Sequence, residues 1–277
     1  MKLGLSSCGK ELDRALFAAY AEAGIGQMEL SLGRDGCNAL DHAQAKALAD
    51  EYGVVLQSYH LPFSPFAEID ISSPDRNLRE RTVCYLSELI KKAGSVGIPR
   101  FIIHPSGEPI APEMREEFMQ CAQESLVRLA DAAEAEGAVM AVENLPRTCL
   151  GRNSDEMLAL TAVDPRLRVC FDTNHLLGED PVQFIQKVGH LFVTTHISDY
   201  DFVNERHWLP GEGKLDWQAV ISALKAVGYD GAWLYELGFV APDTIARPRD
   251  LTCADFARNY EELMAGSVPT ILGKSLL

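Results

Sequence analysis

The stretch "LFVTTHISDYDFVNERHWLPGEGKLDW", residues 191–217, contains one complete unit of the fold. It opens with the apolar run LFVTTH, typical of a buried strand, and closes with Asp216 before a segment of helical period. Between them lie a loop rich in acidic and aromatic residues and a Pro-Gly-x-Gly turn. His196 ends the strand and His207 precedes the turn, so polar side chains are concentrated between the end of the strand and the turn.

The same alternation of strand, loop and helix recurs about eight times in the 277 residues. The strand-like runs are short and almost continuously apolar, as parallel strands buried on both faces must be. We expect strands over 3–7, 27–32, 54–60, 100–104, 138–143, 168–172, 191–196 and 232–236. This pattern predicts an α/β fold, a (β/α)8 or TIM barrel, formed by residues 1–277 as a single domain. A doubly wound open sheet is disfavoured because the first loop, SSCGKEL, lacks the GxGxxG phosphate turn.

Helix end signals lie between these runs. Ser73 is the expected N-cap of the helix after strand 3, and Pro112 begins the helix after strand 4. Asp216 is the expected N-cap of the helix after strand 7. The last helix is predicted over about 250–265.

The formal net charge of −15 disfavours a nucleic-acid-binding protein, which usually carries a basic face. The seven Cys include no CxxC pair, the first residues lack an apolar leader, and no apolar run reaches the roughly 18 residues of a membrane span. These features predict a reduced, cytoplasmic protein with no membrane contact.

Acidic residues end three of the apolar runs. Glu143 follows AVMAV, Asp172 follows RVCF and Glu236 follows AWLY. In a barrel the strand ends share one mouth, where three buried carboxylates would repel each other unless a cation lay among them. Imidazole and carboxylate together are a common ligand set for divalent metals. The sequence therefore predicts a metal site at the mouth, and His196 helps to form it.

Most of the His residues follow the same pattern. Five of the seven lie at strand ends or in the loops that follow: His60, His104, His175, His196 and His207. One such His alone is commonly structural, but their joint placement indicates a functional site. We expect His42 and His190 to be solvated on helices, and Asp199 and Asp201 to be solvated in their loop.

The segments VEN, FDTNH, THISD, PGEGKLDW and YELG together resemble the xylose-isomerase-like barrel superfamily over nearly the whole chain. That group includes sugar and sugar-phosphate isomerases and epimerases, inosose dehydratases and apurinic-site endonucleases. Resemblance to its ketose 3-epimerases implies one ion held by Glu143, Asp172, His196 and Glu236, with both Glu also acting as acid and base. It also implies that His175 contacts the substrate. Those epimerases tend to have an Arg three residues before the Pro of the turn, where this chain has a His.

The apurinic-site endonucleases are similar in another respect. Their D-R-H motif reads Glu205-Arg206-His207 here. Their three-zinc ligands match His60, His104, Glu143, Asp172, His175, His196, Glu205, His207 and Glu236. Against this branch stand the acidic charge and the sequence LPRTCLGRN after the VEN motif, which replaces a Gly- and Gln-rich segment.

We therefore expect a divalent-metal-dependent sugar or sugar-phosphate isomerase or epimerase that transfers a proton through an enediolate. Glu143 and Glu236 are the expected catalytic residues. The ion is expected to be Mn, Zn, Co or Mg, and one ion is favoured over a cluster. Three alternatives stay open: an inosose-dehydratase-like lyase, an endonuclease-like metal phosphodiesterase and a non-catalytic sugar-binding barrel.

The remaining candidates surround this metal site. The expected substrate-binding residues are His60, His104, His175, His207 and Arg206. If more than one ion is bound, the further ligands are His60, His104, His175, Glu205 and His207. The expected partner is a small sugar or polyol, without nucleic acid or membrane, and a homo-oligomer is left open.

Overall fold

The computed structural model describes residues 1–8 and 10–277. Its main sheet consists of parallel strands in which each strand pairs with its neighbours in sequence. The strands are β1 Lys2–Ser6, β2 Gln27–Ser31, β3 Val55–His60, β4 Arg100–Ile103, β5 Val139–Glu143, β6 Arg168–Asp172, β7 Phe192–His196 and β8 Ala232–Tyr235. β1 also pairs with β8, so the sheet curves round on itself.

Backbone hydrogen bonds join the last seam of the sheet, between β7 and β8. Ile197 N donates to Leu234 O at 2.8 Å, and Glu236 N donates to Ile197 O at 3.1 Å. The predicted (β/α)8 barrel is thereby confirmed, and each predicted strand agrees with the structure to within a residue at either end. This accuracy follows from the near-continuous hydrophobicity of strands covered on both faces.

Helices cover the outside of the barrel. They are α1 Arg14–Glu22, α2 Arg34–Ala39, α3 His42–Tyr52, α4 Arg76–Gly94, α5 Arg115–Ala135, α6 Ser154–Thr161, α7 Pro181–Val188, α8 Trp217–Ala226 and α9 Cys253–Met264. Their apolar faces pack on the strands in one continuous core. No helix within residues 1–8 and 10–277 is long and apolar enough to cross a membrane.

The helix starts were predicted with mixed success. Asp216 caps α8 and accepts a hydrogen bond from Ala219 N at 3.0 Å, as expected. Ser73 was the wrong N-cap for α4, because Asp75 accepts from Asn77 N at 2.9 Å and the helix begins at the next residue. A short 3-10 turn that begins at Pro112 leads into α5.

The C-terminal segment is fastened to the loop after β7. The short strands β9 Ile245–Ala246 and β10 Lys274–Ser275 flank α9 and pair antiparallel, and Arg247 directly follows β9. Its guanidinium lies 2.7 Å from a carboxylate oxygen of Glu212, and both side chains are almost fully buried. This buried ion pair secures the Pro-Gly-x-Gly turn beside the barrel mouth.

Three polar residues that were expected to be solvated are in fact buried. His42, the first residue of α3, is buried with its ring stacked on Tyr59 at 5.7 Å between centroids. Asp201 is nine-tenths buried and its carboxylate pairs with Arg206 at 2.8 Å. Asp199 is fully buried. His190 is exposed, as expected.

The Asp199 carboxylate organises the turn after β7. One of its oxygens accepts from Gly211 N and from Trp217 Nε1, each at 2.8 Å. The other accepts from Tyr200 N at 2.8 Å and from Leu215 N at 3.2 Å. A Cβ at Gly213 would lie 2.2 Å from this carboxylate, so only glycine fits there.

We expect Asp199→Ala to lower the free energy of unfolding by about 3 to 4 kcal/mol, because several buried donors lose their acceptor. Asp216→Ala is the matched control, since it removes only the N-cap of α8 and should cost about 1 kcal/mol. Urea denaturation in the presence of a chelator measures both values. Equal losses for the two variants would contradict this role of Asp199.

Candidate metal centre and active site

Four predicted residues meet at the carboxyl ends of neighbouring strands. Glu143, Asp172 and His196 are the last residues of β5, β6 and β7, and Glu236 directly follows β8. One ligand atom from each of the four lies within 4.8 Å of those of the others. The barrel topology brings them together because parallel strands that end in series place their last side chains at one mouth.

The distances centre on one imidazole nitrogen. His196 Nδ1 lies 3.1 Å from Glu143 Oε1, 3.2 Å from Glu236 Oε2 and 3.9 Å from Asp172 Oδ2. Glu143, Asp172 and His196 are completely buried. Three carboxylates therefore share a small space with one ring nitrogen, and only Glu236 is partly exposed.

The donor atoms fit a divalent cation. Asp172 Oδ1 accepts from Asn174 N at 2.6 Å, whereas its buried Oδ2 has no hydrogen-bond partner among the described residues. Burial raises the pKa of Asp172, and the charges of Glu143 and Glu236 add to this effect. A cation would favour the charged form of Asp172 and supply the partner that Oδ2 lacks.

Asn144 fixes the neighbouring strand ends. Its amide nitrogen donates to Asp172 O at 2.9 Å, and its amide oxygen accepts from Asp172 N at 2.8 Å. The VEN motif contains this residue, but the sequence does not reveal that it ties β5 to β6.

Two histidines contact the second carboxylate oxygen of Glu143. Its Oε2 lies 3.1 Å from His60 Nε2 and 3.3 Å from His104 Nε2. The other nitrogen of His60 donates to Leu61 O at 2.9 Å, which directs Nε2 into the site. Phe63 stacks on His104 with ring centroids 4.0 Å apart.

The pKa values of these groups reflect opposed effects. Burial alone would raise the pKa of Glu143, but the charges and hydrogen bonds of His196 and His104 outweigh it and hold the pKa well below its ordinary value. Burial also opposes ionisation of Glu236, yet His196 lowers its pKa to about 2. Both Glu side chains are therefore ionised at neutral pH.

A second cluster lies further out in the mouth. His175, Glu205 and His207 also place ligand atoms within 4.8 Å of one another. His175 Nε2 is 3.2 Å from Glu205 Oε2, and His175 Nδ1 donates to Asn144 O at 2.9 Å. Arg147 also contacts Glu205, so this carboxylate already has a cationic partner.

Arg206 does not join the other predicted residues. Its guanidinium pairs with Asp201, and it is not among the residues that line the cavity at the mouth. Arg147 lines that cavity in its place and also pairs with Glu108.

The cavity above Glu143 has a volume of about 340 Å³. It lies at the small end of the usual range for ligand pockets, which suits a small molecule. One wall carries the His and Glu side chains described above. The apolar part of the lining consists mainly of Phe63, Phe66, Leu145, Pro146 and Leu237.

Glu29 is a further buried residue that our reading of strand ends missed. It lies within β2, not at its end, and contacts His196 from inside the barrel at 3.0 Å. The only sequence signal was an acidic residue within the apolar run QMELSL.

Sequence comparison finds several relatives. Fructoselysine 3-epimerase of Shigella flexneri is 25% identical over 251 residues, which cover 86% of this chain and 90% of that protein. A probable endonuclease 4 of Acholeplasma laidlawii is 29% identical over 158 residues, or 54% of this chain and 52% of that protein. The uncharacterized protein MJ1311 of Methanocaldococcus jannaschii is 25% identical over 193 residues, or 66% of this chain and 64% of that protein. The chain thus matches only about half to two thirds of the length of the last two.

Solved structures show the same architecture. A D-tagatose 3-epimerase-like protein superposes with a TM-score of 0.81 at 22% identity, covering 96% of this chain and 97% of that one. The 3-keto-D-glucoside 4-epimerase YcjR from E. coli gives a TM-score of 0.75 at 19% identity, covering 96% and 99%. The sequence profile of the xylose isomerase-like TIM barrel family matches residues 17–248. The chain therefore belongs to the xylose isomerase-like TIM barrel family.

Proposed function

We propose that the protein is a divalent-metal-dependent isomerase or epimerase of a sugar or sugar phosphate. The observation that carries this proposal is the convergence of Glu143, Asp172, His196 and Glu236 on one buried point beneath a cavity of small-molecule size. The relatives support it, because a fructoselysine 3-epimerase aligns along most of the chain. The epimerases among the solved structures share the fold.

In this proposal the four residues hold the ion, which is Mn, Zn, Co or Mg. When bound, it would polarise a carbonyl and a neighbouring hydroxyl of the substrate and stabilise the charge that develops on them. Three of the ligands end the successive strands β5, β6 and β7, and Glu236 directly follows β8, so the barrel itself sets their spacing.

The proton transfers belong to Glu143 and Glu236. One carboxylate removes a proton from the carbon next to the carbonyl, which gives an enediolate. The other takes up a proton from solvent and delivers it to that carbon or its neighbour, and the first then releases its proton to solvent. Both are ionised at neutral pH, and each has one oxygen within 3.2 Å of His196 Nδ1. His60 and His104 fix the orientation of Glu143 through its Oε2.

The rest of the cavity binds and shields the substrate. His175 and His207 face the cavity and would donate or accept hydrogen bonds with sugar hydroxyls. The apolar side chains of Phe63, Phe66 and Leu237, which also line the cavity, would exclude water from the reacting carbon.

The test is an assay of metal-loaded protein on a panel of ketoses, aldoses and their phosphates, with products identified by NMR. Conversion of at least one sugar to its epimer or isomer is the expected result. Loss of water from a cyclic polyol instead would favour the lyase alternative, and binding without turnover would favour the non-catalytic barrel.

A metal phosphodiesterase is the second candidate, favoured by the cluster of His175, Glu205 and His207 and by the relative named as a probable endonuclease 4. The ion pair between Arg147 and Glu205 weighs against it, because it already compensates the charge that a further cation would need. The net charge of −15 also opposes binding to DNA.

We expect close to one metal ion per chain in protein purified without chelator, measured by elemental analysis. We also expect no incision of duplex DNA that contains an abasic site. The control is His207→Ala, which should leave the metal content unchanged. Two or three ions per chain that fall in this variant, together with metal-dependent incision, would make the phosphodiesterase the better account.

A further inference from the structure

Glu29 is a completely buried carboxylate on the inner face of the barrel. Its two oxygens lie 3.0 and 3.2 Å from His196 Nε2, on the side of the ring opposite the three carboxylates at the mouth. Among the described residues, His196 is its only ion-pair partner. A buried carboxylate is costly unless hydrogen bonds or a charge compensate it, so this contact is structurally significant.

The surrounding hydrogen bonds identify Glu29 as an acceptor. Ser58 Oγ donates to Glu29 Oε2 at 2.6 Å. Gln57 in turn donates its amide hydrogen to Ser58 Oγ, so the hydroxyl hydrogen of Ser58 is free to point at Glu29. Gln57 also reaches Thr194 Oγ1 at 3.3 Å across the barrel. This network presents an acceptor oxygen to His196 from below.

The consequence concerns the other nitrogen of the ring. A hydrogen on Nε2 that is donated to Glu29 leaves Nδ1 as the ligand atom, and Nδ1 is the atom that faces Glu143, Glu236 and Asp172. Histidines that bind metals usually donate their second N–H to a carboxylate or carbonyl, which fixes the ring orientation and makes the ligand more basic.

We propose that Glu29 is a positioning residue of the metal site: it accepts the Nε2 hydrogen of His196 and so holds Nδ1 toward the three carboxylates. This inference rests on the proposed function, because it assumes that these carboxylates bind a divalent ion. It adds an interior residue that acts on the metal through His196 and touches no substrate.

The test compares Zn²⁺ affinity in the unmodified protein and in Glu29→Gln, by competition with a fluorescent chelator. The amide has the size of the carboxylate but is a weaker acceptor for the Nε2 hydrogen. We expect Zn²⁺ binding to weaken about 10- to 100-fold, as is usual when such a partner of a metal ligand is lost. Glu212→Gln is the matched control, since Glu212 is an equally buried carboxylate that pairs with Arg247 and contacts none of the four proposed ligands. Its Zn²⁺ affinity should be unchanged even if its melting temperature falls.

NMR of the unmodified protein gives a second readout that needs no variant to fold. In protein labelled with ¹⁵N-histidine, the Zn²⁺-bound His196 should carry its hydrogen on Nε2, and Zn²⁺ should shift the Nδ1 resonance. A hydrogen on Nδ1 with Nε2 bound to Zn²⁺ would overturn the inference. Equal Zn²⁺ affinity of Glu29→Gln and the unmodified protein would overturn this inference but leave the proposed metal site standing. An unmodified protein that binds no Zn²⁺, Mn²⁺ or Co²⁺ would overturn both.

Discussion

Glu143→Gln and Glu236→Gln should each lower kcat by about 100- to 10,000-fold, the usual range for loss of a general acid or base. The amide cannot accept the proton of the substrate carbon, and it is also a poorer metal ligand than the carboxylate. The effect should persist at saturating metal, because the missing proton transfer does not depend on metal occupancy. Steady-state kinetics over a range of Mn²⁺ concentrations measure both contributions.

Asp172→Asn is the matched control for these variants. Asp172 is a proposed ligand without a proton-transfer role, so its loss should mainly raise the metal concentration required for activity. Excess metal should then restore part of the rate. Full rescue of Glu143→Gln by excess metal would show that Glu143 acts only as a ligand.

Removal of the metal with a chelator should abolish turnover, and addition of Mn²⁺, Co²⁺ or Zn²⁺ should restore it. The physical reason is that the charge on the reacting oxygens would lose its main stabilisation. Chelated protein that keeps its full activity would contradict the assignment of Glu143, Asp172, His196 and Glu236 as a metal site.

Metal removal should also reduce stability. An ion that binds only the folded state contributes about 2.7 kcal/mol at a free concentration of 100 times Kd. For a chain of this size that corresponds to roughly 5 to 10 °C in Tm. Differential scanning calorimetry with and without chelator measures the shift, and Asp172→Asn should show a smaller one.

The barrel could be predicted from the sequence because its strands are buried on both faces and leave long apolar runs. The convergence of Glu143, Asp172, His196 and Glu236 could also be predicted, since a residue that ends a barrel strand must lie at the mouth. Which His contacts which carboxylate could not be predicted, because the closest pairs join strands distant in sequence.

Two of the failures, at Asp199 and Glu29, have a common physical cause. Asp199 appeared to be a solvated loop residue because its donors are backbone N–H groups and an indole that reach it only after the loop folds back. Glu29 was missed because its partner lies 167 positions away along the chain. In both cases the carboxylate is compensated by contacts that leave no local pattern in the sequence.

The central claim is that carboxylates at the metal site move a proton between solvent and the carbon next to a carbonyl. Its most direct test is turnover of the accepted sugar by metal-loaded protein in deuterated water, followed by NMR of the product. Because Glu143 and Glu236 are separate groups, the proton removed is not the one returned, and the account predicts deuterium at the carbon that changes. An epimerised or isomerised product that retains its original hydrogen there would contradict the account, since the hydrogen would then have moved without exchange through these carboxylates.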